Sequence, residues 1–151
     1  MVSTSALWPV DMTTVANPNK VIAGRVGAVS GPIAQPATDP TYLDLALKTG
    51  AKFAEALPQD YAAFLYVFEG SVKVGAGAAA QTVGSHELAV LGSGSQVLIE
   101  GVAPGADGES ARAILVAGRP LRESVAKYGP FVMNTNEELH QAFMDYQTGK
   151  F

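Results

Sequence analysis

A chain of 151 residues with 16 glycines, 9 prolines and no cysteine can bury roughly 68–70% of its unfolded surface, enough for a self-supporting core. The absence of cysteine excludes disulfides, thiolate metal sites and thiol nucleophiles. Net charge is −4 and the ten basic residues are scattered from Lys20 to Lys150, so the clustered basic face that direct nucleic-acid binding needs is missing.

The start, Met1 to Pro9, carries neither a basic leader nor a long apolar core. No signal peptide is expected, and cytoplasmic residence is the expectation. No apolar run in the chain is long enough to span a bilayer as a helix, so no membrane partner is expected. Residues 1–19 show no helical or strand periodicity and include the turn Asn17-Pro18-Asn19. They are predicted to form an extended arm or linker, with Leu7 and Trp8 as anchors.

From Lys20 onward, β-rich runs alternate with turn signals at 21–29, 41–48, 61–69, 71–75, 86–91, 95–101 and 111–118. That spacing predicts an all-β sandwich or barrel over residues 20–151. Within 41–48, alternation puts Leu43, Leu45 and Leu47 on one side and Asp44 and Lys48 on the other, so the leucines point into the core. The run 61–69 is apolar on both sides, with Ala63, Leu65 and Val67 opposed to Phe64, Tyr66 and Phe68. Such a strand is expected to be covered on both faces.

Gly75 to Ala80 lacks the following helix and lysine of a phosphate loop and reads as a hairpin connection. Gly92-Ser93-Gly94 is likewise a tight turn, because the order Gly-x-Ser-x-Gly is absent. Near the end, Thr135 followed by Glu138 makes a capping box, Leu139, Ala142, Phe143 and Tyr146 recur at helical spacing, and Gly149 stops the helix.

Candidate chemistry is sparse. The histidines are His86, expected to open a strand beside Glu87, and His140, expected on the polar side of the tail helix. They lie on elements with different roles, so no shared metal site is expected from them. Glu137 and Glu138 suit a helix start. Asp39, Asp60, Asp107 and Glu109 fall in predicted turns, and Asp44 and Glu100 at outward strand positions, leaving no evident acid–base pair. No serine has a histidine and carboxylate partner.

The stretch Lys127-Tyr128-Gly129-Pro130-Phe131-Val132-Met133-Asn134-Thr135 resembles the C-terminal signature of the pirin family. The likeness extends upstream through Val21 to Arg25, Tyr42 to Leu45, Gly50 to Phe53, Tyr66 to Gly70, Val90 to Gly92 and Leu115 to Leu121. It implies a cupin double-stranded β-helix, a jelly-roll barrel, with a short C-terminal helix. Pirins are usually two cupin barrels in one chain with iron-binding histidines in the first, and this chain resembles the second. On that resemblance, residues 1–19 correspond to the linker between the barrels.

The cupin motif Gly-x5-His-x-His-x4-Glu-x6-Gly fits from Gly50 to Gly70 without a gap, with Ala56, Pro58 and Ala63 at the ligand positions. In the second motif, laid from Gly84, Val90 replaces proline, Ser95 takes the remaining histidine position and Ile99 the asparagine. The scaffold is retained while the donors are replaced, so neither metal nor cofactor is expected.

One functional reading is a non-catalytic, metal-free module for assembly or protein interaction. Its interface residues are Phe64, Tyr66 and Phe68 with Leu139, Phe143 and Tyr146 of the tail. Because the halves of a two-barrel pirin face each other, the resemblance implies a homodimer, or pairing with a metal-bearing cupin half or another protein. A second reading follows from pirins that act as metal-dependent flavonol (quercetin) 2,3-dioxygenases, and here requires a metal barrel from another chain. A third is a small-molecule barrel lined by Leu65, Ser95, Val97 and Ile99, against which a filled core is expected. Nuclear residence and transcription-cofactor roles are implied by the resemblance alone.

Overall fold

The computed structural model describes residues 20–106, 108 and 110–150. The predicted arm over residues 1–19 and the turn residues Asp107 and Glu109 lie outside them. The chain divides into two compact units, one ending at Pro120 and one beginning at Leu121.

The first unit is built from β1 (Lys20–Ala23), β2 (Arg25–Val26), β3 (Val29–Ser30), β4 (Thr41–Leu47), β5 (Lys52–Ala56), β6 (Ala62–Glu69), β7 (Ser71–Val74), β8 (Gln81–Gly84), β9 (Glu87–Val90), β10 (Gln96–Ala103) and β11 (Ala111–Gly118). One sheet runs β1-β4-β11-β6-β9 and the other β5-β10-β7-β8, while β2 and β3 form a small ribbon. The pairings are antiparallel. From β4 to β11 the chain repeatedly changes sheet, which is jelly-roll winding.

The core lies between these sheets. Leu43, Leu45 and Leu47 are buried, as their alternation predicts. Leu115 stands in register between Leu43 and Leu65, and Ala113 between Leu45 and Val67. The inward row of β11 is mostly alanine, with Ala111, Ala113 and Ala117 around Leu115, which leaves room for the facing row of Phe53, Val72, Val74, Val97 and Ile99. Gly70 makes the turn from β6 to β7 at φ 70°.

Several expectations are corrected. The run 21–29 is broken into three short strands by Gly24 at φ 80° and Gly27 at φ 56°. Strands β5 and β8 arise where none was predicted. His86 does not open a strand but sits in the β8–β9 turn at φ 66°, its N–H donating to the carbonyl of Val67 at 2.7 Å. Glu87 accepts from the N–H of Gly84 at 2.7 Å, closing that turn.

The second unit pairs β12 (Ala126–Tyr128) with β13 (Phe131–Met133) ahead of α1 (Asn136–Gln147). The hairpin was not predicted; the helix was. Thr135 Oγ1 accepts from the N–H of Glu138 at 3.2 Å, and Glu138 Oε2 accepts from the N–H of Thr135 at 3.0 Å. Leu139 and Ala142 are buried. Phe143 meets Phe131 edge-on at 4.9 Å and Tyr128 at 5.4 Å between ring centres. Among the described residues, no helix is long and apolar enough to cross a membrane.

Candidate functional site

The cupin ligand positions lie around one end of the barrel. Ala56 ends β5 and is exposed, Pro58 is exposed just beyond it, and Ser95 is exposed immediately before β10. Ala63 is half-buried on the inward row of β6. Methyl groups and a pyrrolidine ring offer no lone pair, and one serine hydroxyl cannot hold a divalent ion. Among the described residues, no three His, Cys, Asp or Glu side chains converge. His86 belongs to the barrel turn and His140 is exposed on α1 of the other unit. The donor set does not fit the metal that the cupin motifs imply.

Inside the barrel, side chains from both sheets pack into one core cluster. Leu65 and Val97 are fully buried and Ile99 is 1% exposed, so these predicted cavity-lining residues belong to the packed core. A hollow at the mouth, bordered by Leu57, Pro58, Tyr61, Ala63, Leu91 and Gln96, has a cavity volume of about 10 Å³, room for roughly one water. Beside it the Tyr61 hydroxyl donates to Asp39 Oδ2 at 2.5 Å. That hydrogen bond, with lesser contributions from burial and the Asp39 charge, holds the phenol above its ordinary value.

One carboxylate escaped the sequence reading. Glu55 lies on β5 between buried Phe53 and Leu57 and opposite buried Val97, on the alternating side that faces the core. Burial pushes its carboxyl above the ordinary range. The sequence carries little signal for this placement, because β5 itself buries a single apolar side chain, Phe53.

The outer face of the five-stranded sheet gathers the apolar side chains that the barrel does not enclose. Val116 of β11 stands between Tyr42 of β4 and Phe64 of β6, and Phe64 stands opposite Val90 of β9. One step along, Ile114 pairs with Tyr66, which pairs with Leu88. Phe64 is 36% exposed, Leu88 55% and Val90 57%. On the aromatic side of β6, Phe64 is exposed while Tyr66 and Phe68 are half-buried, so the expected cover is only partial among the described residues. Arg112 crosses the end of this field. Its Nη2 donates to both Asp44 oxygens at 3.1 Å, its guanidinium lies 5.0 Å over the Phe68 ring, and its Nε is buried without a hydrogen-bond partner.

The predicted tail residues form a separate group in the second unit. Leu139 is buried, Phe143 is half-buried in the ring cluster, and Tyr146 is 67% exposed while touching Phe131 at 6.0 Å.

The family of the Pirin C-terminal cupin domain matches residues 42–151. The chain belongs to the pirin family. Human pirin is 42% identical over 113 residues, covering 75% of this chain and 38% of that protein. A pirin-like protein of Caulobacter vibrioides is 43% identical over 133 residues, covering 87% of this chain and 45% of its own length. Among solved structures, a quercetin 2,3-dioxygenase from Acinetobacter baumannii superposes with a TM-score of 0.70 at 28% identity, over 87% of this chain and 42% of the enzyme. The pirin-type jelly roll described above thus spans less than half the length of these relatives.

Proposed function

We propose that this pirin-type cupin is a metal-free, non-catalytic module that acts by assembly with protein. The observation that carries the reading is the outer sheet face, where Phe64, Val90 and Leu88 stay exposed beside Tyr66, Ile114 and Val116. Exposed contiguous apolar surface on a folded domain marks an interaction site, and aromatic residues with arginine are the enriched components of such sites. The vacated positions Ala56, Pro58, Ala63 and Ser95 support the non-catalytic half of the reading.

The likeness to the Acinetobacter quercetin 2,3-dioxygenase favours a second reading. In it this chain supports dioxygenase chemistry whose metal is held by a cupin half on another chain. Oxygen uptake with quercetin and ferrous iron by a purified metal-bearing cupin barrel, with and without this chain, separates the two, because the chain leaves that rate unchanged under the first reading and raises it under the second. The 151-residue chain alone is expected to consume oxygen no faster than buffer with iron, and turnover by the chain alone would overturn the proposal.

A further inference from the structure

We infer that the outer face of the β1-β4-β11-β6-β9 sheet is the docking site of this chain's own N-terminal arm, with Leu7 and Trp8 as the side chains that cover its apolar rows. The inference rests on the assembly reading and adds its regulation, because a protein partner then meets the face only once the arm has left it. Two observations select the arm over other occupants.

The first is composition. Residues 1–19 carry one charged side chain, Asp11, and nine apolar ones, among them Trp8, the sole tryptophan of the chain. A segment that stays solvated is rich in charge and poor in large apolar groups. This one has the opposite balance, so it gains by covering apolar surface.

The second is the tether. The arm joins the sheet at Lys20, which is one end of a register row that crosses all five strands through Asp44, Ile114 and Tyr66 to Leu88. The next outward row is Tyr42, Val116, Phe64 and Val90. Strands lie about 4.8 Å apart, which puts Leu88 about 20 Å from the point of attachment. The segment from Trp8 to Lys20 reaches about 40 Å when extended, so Trp8 can reach either row at any point. A segment tied this close competes at an effective concentration on the order of millimolar. A free protein at micromolar concentration with equal contacts loses to it, so the arm is the occupant in the free chain.

Because Trp8 is the sole tryptophan, its fluorescence reports the docking directly. In the full 151-residue chain its emission is expected to be blue-shifted from that of the urea-unfolded chain, and equally so from micromolar to hundred-micromolar concentration. Leu88→Lys and Val90→Lys alter exposed side chains on an edge strand and should fold, as checked by circular dichroism. Each is expected to weaken the docking about tenfold, the loss of one buried apolar contact, and so to move the emission toward the unfolded value.

A wild-type emission at the unfolded value would overturn the inference. So would a blue shift that both substitutions leave in place, since Trp8 would then be buried elsewhere. A blue shift that grows with concentration would overturn docking within one chain and assign the arm to a second copy. Faster oxygen uptake by a metal-bearing cupin barrel in the presence of this chain strikes the assembly reading and leaves the Trp8 result standing.

Discussion

Arg112 and Asp44 join neighbouring strands through a single nitrogen, Nη2, that lies 3.1 Å from each carboxylate oxygen. Their side chains are 34% and 17% exposed, so the pair lies between a surface ion pair and a buried one. Replacing Asp44 with Ala leaves a partly desolvated guanidinium whose Nε already has no partner. We predict a loss of about 1–2 kcal/mol in urea unfolding. Arg112→Met removes both the charge and the orphaned donor while keeping the packing stem, and is predicted to cost less than Asp44→Ala. The reverse order would contradict this account of the pair.

Gly70 is predicted to be irreplaceable in the β6–β7 turn. A Cβ there would stand 2.3 Å from the Ala103 carbonyl oxygen and 2.7 Å from the Pro104 carbonyl carbon, at φ 70°. Both obstacles are backbone, so no side chain can rotate away to relieve them. Gly70→Ala should destabilise the chain by about 3 kcal/mol or more. A urea midpoint within error of wild type would refute that.

Glu55 gives the barrel a pH signature. Burial raises its folded-state carboxyl value, so folding favours the protonated form. Its stabilising contribution is present in acid and is lost as pH rises through the carboxylate range. Glu55→Gln stays neutral throughout. It is predicted to raise the thermal midpoint at pH 7 and to match wild type below about pH 4. A lowered midpoint at pH 7 would mean that the ionised carboxylate is favourably held.

The core was legible because Leu43, Leu45 and Leu47 repeat at the strand period and bury as a row. The tail helix was legible because Thr135 and Glu138 state its start. Strands β5 and β8 were not, since Lys52 to Ala56 and Gln81 to Gly84 each bury a single apolar side chain, Phe53 and Val83. One buried residue gives no period to count. The hairpin of β12 and β13 has three residues a side, again too short for alternation to show.

The aromatic side of β6 was legible as Phe64, Tyr66 and Phe68, but not as a surface. Its extent depends on Leu88, Val90, Ile114 and Val116, which reach it through cross-strand register. Register between strands distant in sequence is not written in either strand. A run apolar on both sides also reads as buried on both, and only the fold leaves Phe64 in solvent.

The reading proposed for this pirin-type jelly roll is that it holds no metal of its own. It is tested most directly by elemental analysis of the full chain, prepared without a histidine tag or chelator, incubated with iron, zinc and nickel, then dialysed. The account predicts far less than one ion per chain, because Ala56, Pro58, Ala63 and Ser95 supply no ligand set and no other cluster replaces them among the described residues. A value near one ion per chain would contradict it.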